Sequence, residues 1–268
     1  MARFQTQAPF PALRPRRLRA HPALRAMVRE THLTPADLIW PIFVMAGEDS
    51  SEPVSSMPGV SRHTVDRLPA LASKAHSLGI PAICIFPYTD PALKTEDCCE
   101  AWNPDNLSNR AIRAIKDAVP DVMVMTDIAL DPYNINGHDG IVRDGEIVND
   151  ETVAALVKMG QAQAQSGADI LGPSDMMDGR IGALRAMLEQ NSFQNVSILS
   201  YSAKFSSAFY GPFRDAVGAT GALTGDKNTY QIDPANGDEA LRMIARDLSE
   251  GADMVMVKPG MPYLDICH

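Results

Sequence analysis

Two lysines follow directly on apolar runs in the second half of the chain. Lys204 ends VSILSYSAK, and Lys258 ends MVMVK just before a Pro-Gly pair. An amine at the end of a buried strand loses hydration, which lowers its pKa, and a second cation nearby lowers that pKa further. A neutral amine attacks carbonyl groups and forms a Schiff base. Either lysine alone is better explained by a side chain that reaches solvent or pairs with an acid, but the two together favour Schiff-base chemistry.

Carboxylate and hydroxyl side chains follow two earlier apolar runs. TDIALDPYNINGHDG contains Asp127, Asp131 and Asp139, and GPSDMMDGR contains Ser174 and Asp175. Carboxylates at a strand end bind Mg²⁺ or transfer protons, but aspartates also simply form turns. The Ser-Asp pair fits a site or a helix cap. We take Asp127 and Ser174 as candidate catalytic residues and Asp131 and Asp139 as candidate substrate-binding residues, and keep the alternatives open.

The segment between the two lysines carries two further cations. Arg214 lies in FYGPFRDA and Lys227 in GDKNTYQ, where Gln231 adds a hydrogen-bonding side chain. Several glycines interrupt this segment, which predicts a long loop. Cations on a loop beside a lysine site predict capture of a substrate carboxylate as the loop closes. A solvated surface loop is the alternative.

The elements that must position these residues alternate along the chain. Six apolar runs predict strands at 38–45, 82–88, 121–130, 168–174, 196–205 and 253–260. Amphipathic segments between them predict helices at 64–79, 106–119, 150–167, 178–191 and 236–251. Alternating strands and helices indicate an α/β fold whose parallel sheet is covered on both faces. No GxGxxG follows the first strand, so we favour a (β/α)8 TIM barrel, in which both lysines lie at the catalytic end of the strands.

The chain organisation follows from this barrel. Residues 1–35 predict an extended N-terminal arm with a short helix near 22–30, and residues 36–268 predict the barrel domain. A hairpin turning at Asp144-Gly145 is inserted within 131–150. Only six of eight strands are found, so we expect the domain to be incomplete at its C-terminus, without the last two βα units.

Composition and charge narrow the partners and the compartment. The chain has 24 Lys and Arg against 33 Asp and Glu, a net charge of −9, which disfavours general binding of nucleic acid or anionic membrane. The basic cluster at 14–19 fits a nucleic-acid arm or, as we favour, docking on an acidic neighbouring subunit. Four cysteines without zinc-ligand spacing indicate reduced cytosolic thiols. No signal peptide or membrane span is evident, so we expect a cytoplasmic protein.

Three of these segments together resemble one enzyme family. YSAKFSSAFYGPFRDA, GPSDMMDGR and MVMVKPGMPYLD are similar to segments of the porphobilinogen synthases, or 5-aminolevulinate dehydratases, and the similarity extends from RPRRLR near residue 14 to the last residues. The resemblance implies a TIM barrel whose arm embraces a neighbour, usually in a homo-octamer. It implies condensation of two 5-aminolevulinate molecules to porphobilinogen, with loss of two waters, in tetrapyrrole and heme biosynthesis.

The resemblance also assigns residues. Lys204 and Lys258 correspond to the two Schiff-base lysines, with Lys204 holding the substrate that becomes the propionate side. Arg214, Lys227 and Gln231 correspond to the lid groups that bind a substrate carboxylate, although many members have arginine where this chain has Lys227. The family's serine and tyrosine for the second carboxylate belong to the two strands that we expect to be absent.

The metal-binding residues of the family are replaced in this chain. Zinc-dependent members have three cysteines where Ala129, Asp131 and Asp139 stand, so no thiolate zinc site is expected. Magnesium-activated members have a glutamate fifteen residues before the second lysine, and counting back from Lys258 reaches Met243, a poor Mg²⁺ ligand. We therefore predict that no metal is required, with weak Mg²⁺ or K⁺ binding near Asp131 and Asp139 as the alternative.

Two other functions remain as alternatives. A class I aldolase is also a Schiff-base barrel, but it needs one such lysine and usually has a phosphate-binding loop near its last strands. A non-catalytic barrel serving as an oligomeric scaffold gives no reason for two strand-end lysines under a cationic loop.

Overall fold

The computed structural model describes residues 8–219, 221 and 223–268, and its contacts divide the chain into Met1–Asp37 and Leu38–His268. Within the first unit, a 3-10 helix at Pro15–Arg19 precedes helix α1 at Pro22–Met27. The His21 ring nitrogen Nδ1 caps α1 by accepting from the Ala23 amide at 3.1 Å. The predicted helix over 22–30 is therefore shorter than expected.

The second unit is built on one large sheet. Strands of the described residues are β1 (Ile39–Met45), β2 (Ser51–Pro53), β3 (Ser61–Thr64), β4 (Ala82–Tyr88), β5 (Met123–Ile128), β6 (Val142–Arg143), β7 (Glu146–Ile147), β8 (Ile170–Pro173), β9 (Ser197–Lys204) and β10 (Met254–Lys258). Its helices are α2 (Leu68–Ser77), α3 (Leu107–Ala118), α4 (Asn149–Gln165), α5 (Arg180–Gln190), α6 (Gly211–Ala216), α7 (Gly237–Ser249) and α8 (Leu264–Cys267). None of these helices is long and apolar enough to cross a membrane.

The order of the strands is that of a barrel. Strands β1, β4, β5, β8, β9 and β10 lie side by side in chain order, and each pairs parallel with the next. In a doubly wound sheet the order of the strands would instead reverse part-way across the sheet. These are the six predicted strands, five of them shorter than predicted and β4 with the predicted bounds. Because they run parallel, all of their carboxyl ends lie at one edge of the sheet.

Both faces of the central strands are buried, as their continuous apolar sequence predicts. In β4, Ile83 and Ile85 pack with α2 and α3 in one apolar cluster. Cys84 and Phe86 point to the opposite face and pack with Phe43 in a second cluster. This alternation explains why AICIFPY is apolar at almost every position.

Strand β10 differs from the prediction. Its first two residues, Met254 and Val255, are each 38% exposed, although the sequence reads as a buried strand. The reason is its place in the sheet, because β10 is an outermost strand paired with β9 alone among the described strands. The prediction that the strand at 253–260 is covered on both faces is therefore wrong for its first two residues.

Two hairpins accompany the six parallel strands: β6 and β7 form a separate two-stranded sheet, and β2 and β3 extend the large sheet beyond β1. The predicted hairpin within 131–150 is confirmed as β6 and β7, and its turn residues Asp144 and Gly145 both have positive φ, 52° and 83°. That conformation suits a two-residue hairpin turn. The second hairpin, β2 and β3, was not predicted, and its strand β3 pairs parallel with β1.

Candidate active site

Lys204 and Lys258 end two neighbouring parallel strands. The register of β9 and β10 pairs them directly, at the last residue of each strand. Neighbouring strands lie about 4.8 Å apart, so the two side chains start from adjacent positions. Lys204 is only 7% exposed. The two amines therefore emerge together at the carboxyl edge of the sheet.

The Lys258 amine lies in a niche of aromatic rings. Its Nζ is 5.0 Å from the ring centroid of Tyr201, 5.3 Å from that of Tyr210 and 4.6 Å from that of Phe213. Burial, and secondarily the charge of Lys204, lower the pKa of Lys258 to about 8. A substantial fraction of the amine is therefore neutral near physiological pH, as a nucleophile requires.

The Lys204 amine is held by two hydrogen bonds. Its Nζ donates to Asp139 Oδ2 at 3.0 Å and to the Ser174 carbonyl oxygen at 2.5 Å. Asp139 lies in the loop after β5 and Ser174 directly follows β8, so three strand ends meet at this amine. Ser174 contributes its backbone oxygen here.

Asp139 is the centre of a buried ion-pair cluster. Its other oxygen, Oδ1, accepts from Lys227 Nζ, and Lys227 is also 3.7 Å from Asp131 Oδ2. Burial alone would raise the pKa of Asp139, but the charges of Lys204 and Lys227 outweigh it and lower that pKa. Burial alone would lower the pKa of Lys227, but the negative charges of Asp139 and Asp131 outweigh this effect and raise that pKa. Asp139 is thus stabilised as an anion by the two lysine side chains on either side of it.

The pKa of Asp127 is shifted in the opposite direction from that of Asp139. Burial, with the charge of Asp131, raises the pKa of Asp127 to about 6, while Lys204 and Lys258 oppose the rise. Its Oδ1 atom is buried and has no hydrogen-bond partner among the described residues. Burial also raises the pKa of Asp131. Asp127 is therefore the carboxyl group beside both lysines that is able to gain or lose a proton near neutral pH.

Arg214 and Gln231 lie at the margin of the cluster. Arg214, in α6, is half-buried, and its charge is close enough to oppose the raised pKa of Lys227. Its guanidinium makes no ion pair with another described residue, whereas Lys227 is engaged by two aspartates. Gln231 is buried, and its Oε1 has no hydrogen-bond partner within residues 8–219, 221 and 223–268. The predicted site residues thus converge on one end of the sheet.

Comparison with known proteins shows the family of this chain. Residues 12–268 match the family "Delta-aminolevulinic acid dehydratase". The chain belongs to the delta-aminolevulinic acid dehydratase family. It is 60% identical to the dehydratase of Rhodobacter capsulatus, over 96% of this chain and 78% of that protein. It is 56% identical to the Bradyrhizobium diazoefficiens dehydratase, over 95% of this chain and 72% of that protein.

A solved structure of the same family supports the fold. The Toxoplasma gondii ME49 dehydratase, in complex with its reaction product porphobilinogen, superposes with a TM-score of 0.92 at 49% identity. The match covers 95% of this chain and 72% of the other. This likeness confirms the α/β barrel class that the strand order predicts, and the family makes the chain a lyase.

In this dehydratase chain, Asp175 serves the structure of the site wall. Its Oδ1 accepts from the Met177 amide at 2.7 Å, and its Oδ2 lies 3.4 Å from Arg180 Nε. Arg180 in turn is 3.5 Å from Asp247, and all three side chains are fully buried. The sequence left open whether Ser174 and Asp175 belong to the site or cap a helix. In the structure Asp175 forms a turn, whereas Ser174 contacts Lys204.

Some site residues of this dehydratase chain were not predicted. They include the aromatic residues around Lys258, and Lys94, a buried amine whose pKa is lowered by burial while Asp131 opposes the fall. The aromatic residues in AFYGPF, directly before Arg214, could have indicated two of these rings, those of Tyr210 and Phe213. Lys94 offered none, because it lies in the loop well beyond the end of β4 and does not directly follow the strand.

A cleft of about 880 Å³ opens beside the ion-pair cluster of this dehydratase chain. It is lined by residues that include His138, Tyr230, Gln231 and Met243. Met243, which stands at the magnesium-glutamate position, packs against the small apolar cluster around Ile232. No group of three or more His, Cys, Asp or Glu side chains suited to a metal occurs within the described part of the chain.

Proposed function

We propose that this chain condenses two 5-aminolevulinate molecules to porphobilinogen, with loss of two waters, through Schiff bases on Lys204 and Lys258. The observation that carries the proposal is the register pairing of these two lysines at the ends of β9 and β10. A single-lysine barrel would not need the second amine. The dehydratase names of the relatives, and the porphobilinogen bound to the Toxoplasma gondii protein, support the same substrate and product.

The chemistry follows from the two amines. Each amine reacts once it has lost its proton: it adds to a keto carbon, and the keto oxygen leaves as water when the iminium forms. An iminium withdraws electrons, which makes the neighbouring carbon acidic and the imine carbon electrophilic. Because Lys204 and Lys258 are adjacent, the two bound substrates meet as if in an intramolecular reaction, which favours formation of the carbon–carbon and carbon–nitrogen bonds. The two lysine–carbon bonds break in the course of these steps and both amines are released, so the two waters lost are those expelled when the iminiums formed.

We assign proton transfer to Asp127. Its raised pKa, about 6, is close to neutral pH, and both lysines influence it. Asp139 is a weaker base because Lys204 and Lys227 lower its pKa. We assign Asp139 and Asp131 to holding the lysines, and Ser174 to orienting the Lys204 amine through its carbonyl oxygen.

We assign capture of a substrate carboxylate chiefly to Arg214. Its guanidinium is half-buried on α6, beside the site, and offers a planar fork that matches a carboxylate. Lys227, as a point charge already paired with Asp139, adds to the positive field, and the side-chain amide nitrogen of Gln231, Nε2, can donate a hydrogen bond to the carboxylate.

Chelators are expected to leave the activity unchanged, because we propose that no metal is required. Both oxygens of Asp139 bind ammonium groups, and Lys227 approaches Asp131, so a divalent cation there would face like charges. The measurement is the rate of product formation before and after EDTA, with metal content determined in the same sample. Activity that disappears with EDTA and returns with Mg²⁺ would contradict the proposal. A small stimulation by Mg²⁺ or K⁺ in metal-free enzyme would favour the weak-site alternative.

We further propose a homo-octamer in the cytoplasm. The exposed arginines at 14–19 and the chain's net charge of −9 suit an arm that docks on an acidic neighbouring subunit. All four cysteines are free, which suits a reducing compartment.

A product assay and a trapping assay together test the function. A colour reaction for a pyrrole should detect product from 5-aminolevulinate, and borohydride with 5-aminolevulinate should add mass at Lys204 or Lys258. A class I aldolase would give an adduct with its own substrate but no pyrrole from 5-aminolevulinate. A scaffold barrel would give neither. Absence of both pyrrole and adduct would overturn the proposal.

A further inference from the structure

Helix α6 carries two side chains of the site but is very short. Phe213 lies against the Lys258 amine and packs on Phe86 at 4.8 Å between ring centroids. The next residue, Arg214, is the carboxylate candidate. A helix of six residues is not stable by itself, because nucleation is unfavourable and most of its terminal backbone groups lack intrahelical partners. Other parts of the molecule must therefore hold α6 in place.

Arg62, in the unpredicted strand β3, binds the end of this helix. Its Nε donates to the Ala216 carbonyl oxygen at 2.7 Å, and its Nη2 donates to the Asp215 carbonyl oxygen at 2.6 Å. These are the last two carbonyls of α6, where the partial negative charge of a helix end favours a cation. Arg62 is only 8% exposed, and its remaining guanidinium nitrogen, Nη1, lies 3.8 Å from Glu52 Oε2.

The surrounding contacts fix the guanidinium and the helix end against each other. The Arg62 guanidinium lies over the Tyr88 ring at 4.4 Å. Gly218, just after α6 with a φ of 70°, sits against the same ring, where a Cβ would collide. On the outer side, Ser56 Oγ donates to Asp215 Oδ2 at 2.5 Å. The hairpin of β2 and β3, with its connecting loop, thus holds the C-terminal end of α6 in place by hydrogen bonds, an interaction that we call the grip on α6.

We propose that Arg62 is a positioning residue for the reaction: by binding the last carbonyls of α6, it holds Phe213 against Lys258 and Arg214 beside the site. Only the kinetic consequence rests on the proposed function, because the grip on α6 is a property of the fold. Lysine cannot replace arginine fully here, since a single ammonium lacks the planar fork that reaches two carbonyls at once.

Two variants and a matched control test this role. Arg62→Gln removes the charge and the fork, and Arg62→Lys keeps the charge alone. The control is Arg67→Gln, which removes a neighbouring, exposed arginine that pairs with Asp49 at 3.1 Å. Hydrogen exchange is measured at the Val217, Gly218 and Ala219 amides, which bond back to carbonyls of α6. The KM for 5-aminolevulinate and kcat are measured on the same preparations.

Arg62→Gln should speed exchange of these amides about tenfold or more and raise KM at least about tenfold, with a smaller change in kcat. Arg62→Lys should fall between it and the wild type, and Arg67→Gln should match the wild type. Unchanged exchange, or faster exchange with unchanged KM, overturns the role. If Arg62→Gln does not fold, Arg62→Lys decides by the same criteria. Lack of pyrrole formation by the wild type would refute the proposed function instead, and the exchange result would still test the grip on α6.

Discussion

Lys258→Met lowers kcat by at least about 10³-fold and leaves the protein folded: this is the largest effect on activity that we expect. Methionine has a similar length and fits a niche built from Tyr201, Tyr210 and Phe213. It removes the amine that we propose to form a covalent bond with the substrate. Steady-state assays for pyrrole formation measure the loss, and circular dichroism checks the fold.

The control for Lys258→Met is the same change at an unrelated cation–π pair. Lys158 is exposed on α4, with its amine 5.0 Å from the Trp102 ring, so Lys158→Met should retain wild-type activity. In the Lys258 variant, borohydride should still trap substrate on Lys204. A Lys258 variant with wild-type turnover would remove this residue from the mechanism.

The pH dependence of trapping gives a second measurement on Lys258. Its pKa is lowered to about 8, so the protonated, unreactive form dominates below that pH. The rate of adduct formation at Lys258 should therefore rise with pH and level off above about 8, instead of continuing to rise toward the ordinary lysine value of 10.5. Peptide mass spectrometry of samples quenched at several pH values separates this adduct from that at Lys204. A rate still rising steeply between pH 9 and pH 10 would contradict the lowered pKa.

The strand ends could be predicted from sequence because they depend on local pattern. Apolar runs that stop at Lys204 and Lys258 place both lysines at carboxyl ends of parallel strands, and the alternation of elements gives the order of the strands. Their direct pairing then follows from the sheet register. The exposure of Met254 could not be predicted in this way, because it depends on which strand is outermost.

The contacts that support the site depend on pairs far apart in sequence. Arg62 and Ala216 are separated by 154 residues, and neither lies in a motif that indicates the other. Strand β3 was missed because SRHT has no apolar run, and it forms by pairing with β1. Asp139 was predicted as a substrate or weak metal ligand, since the sequence cannot show that it meets Lys204 and Lys227, 65 and 88 residues away.

That cluster gives the largest effect on stability that we expect. Asp139→Asn should destabilise the protein by about 3–5 kcal/mol at pH 7, because it leaves two buried ammonium groups without their shared counterion. Asp131 remains 3.7 Å from Lys227, but the asparagine offers one uncharged acceptor oxygen where the carboxylate offers one oxygen to Lys204 and one to Lys227. Urea unfolding at a fixed protein concentration measures the difference. Asp105→Asn is the control, because it breaks an exposed pair with Arg113 and should change stability far less.

The pH dependence of that difference identifies its cause. The pKa of Asp139 is lower in the folded protein than its ordinary value of 3.8, so its contribution to stability is present above that value and is lost as pH falls through the folded-state pKa. The wild type should therefore exceed Asp139→Asn by a constant margin from pH 6 to pH 8, and the margin should shrink below about pH 4. A margin that persists undiminished in acid would mean that Asp139 stabilises the fold by packing or by neutral hydrogen bonds, and would remove it as the counterion of the two lysines.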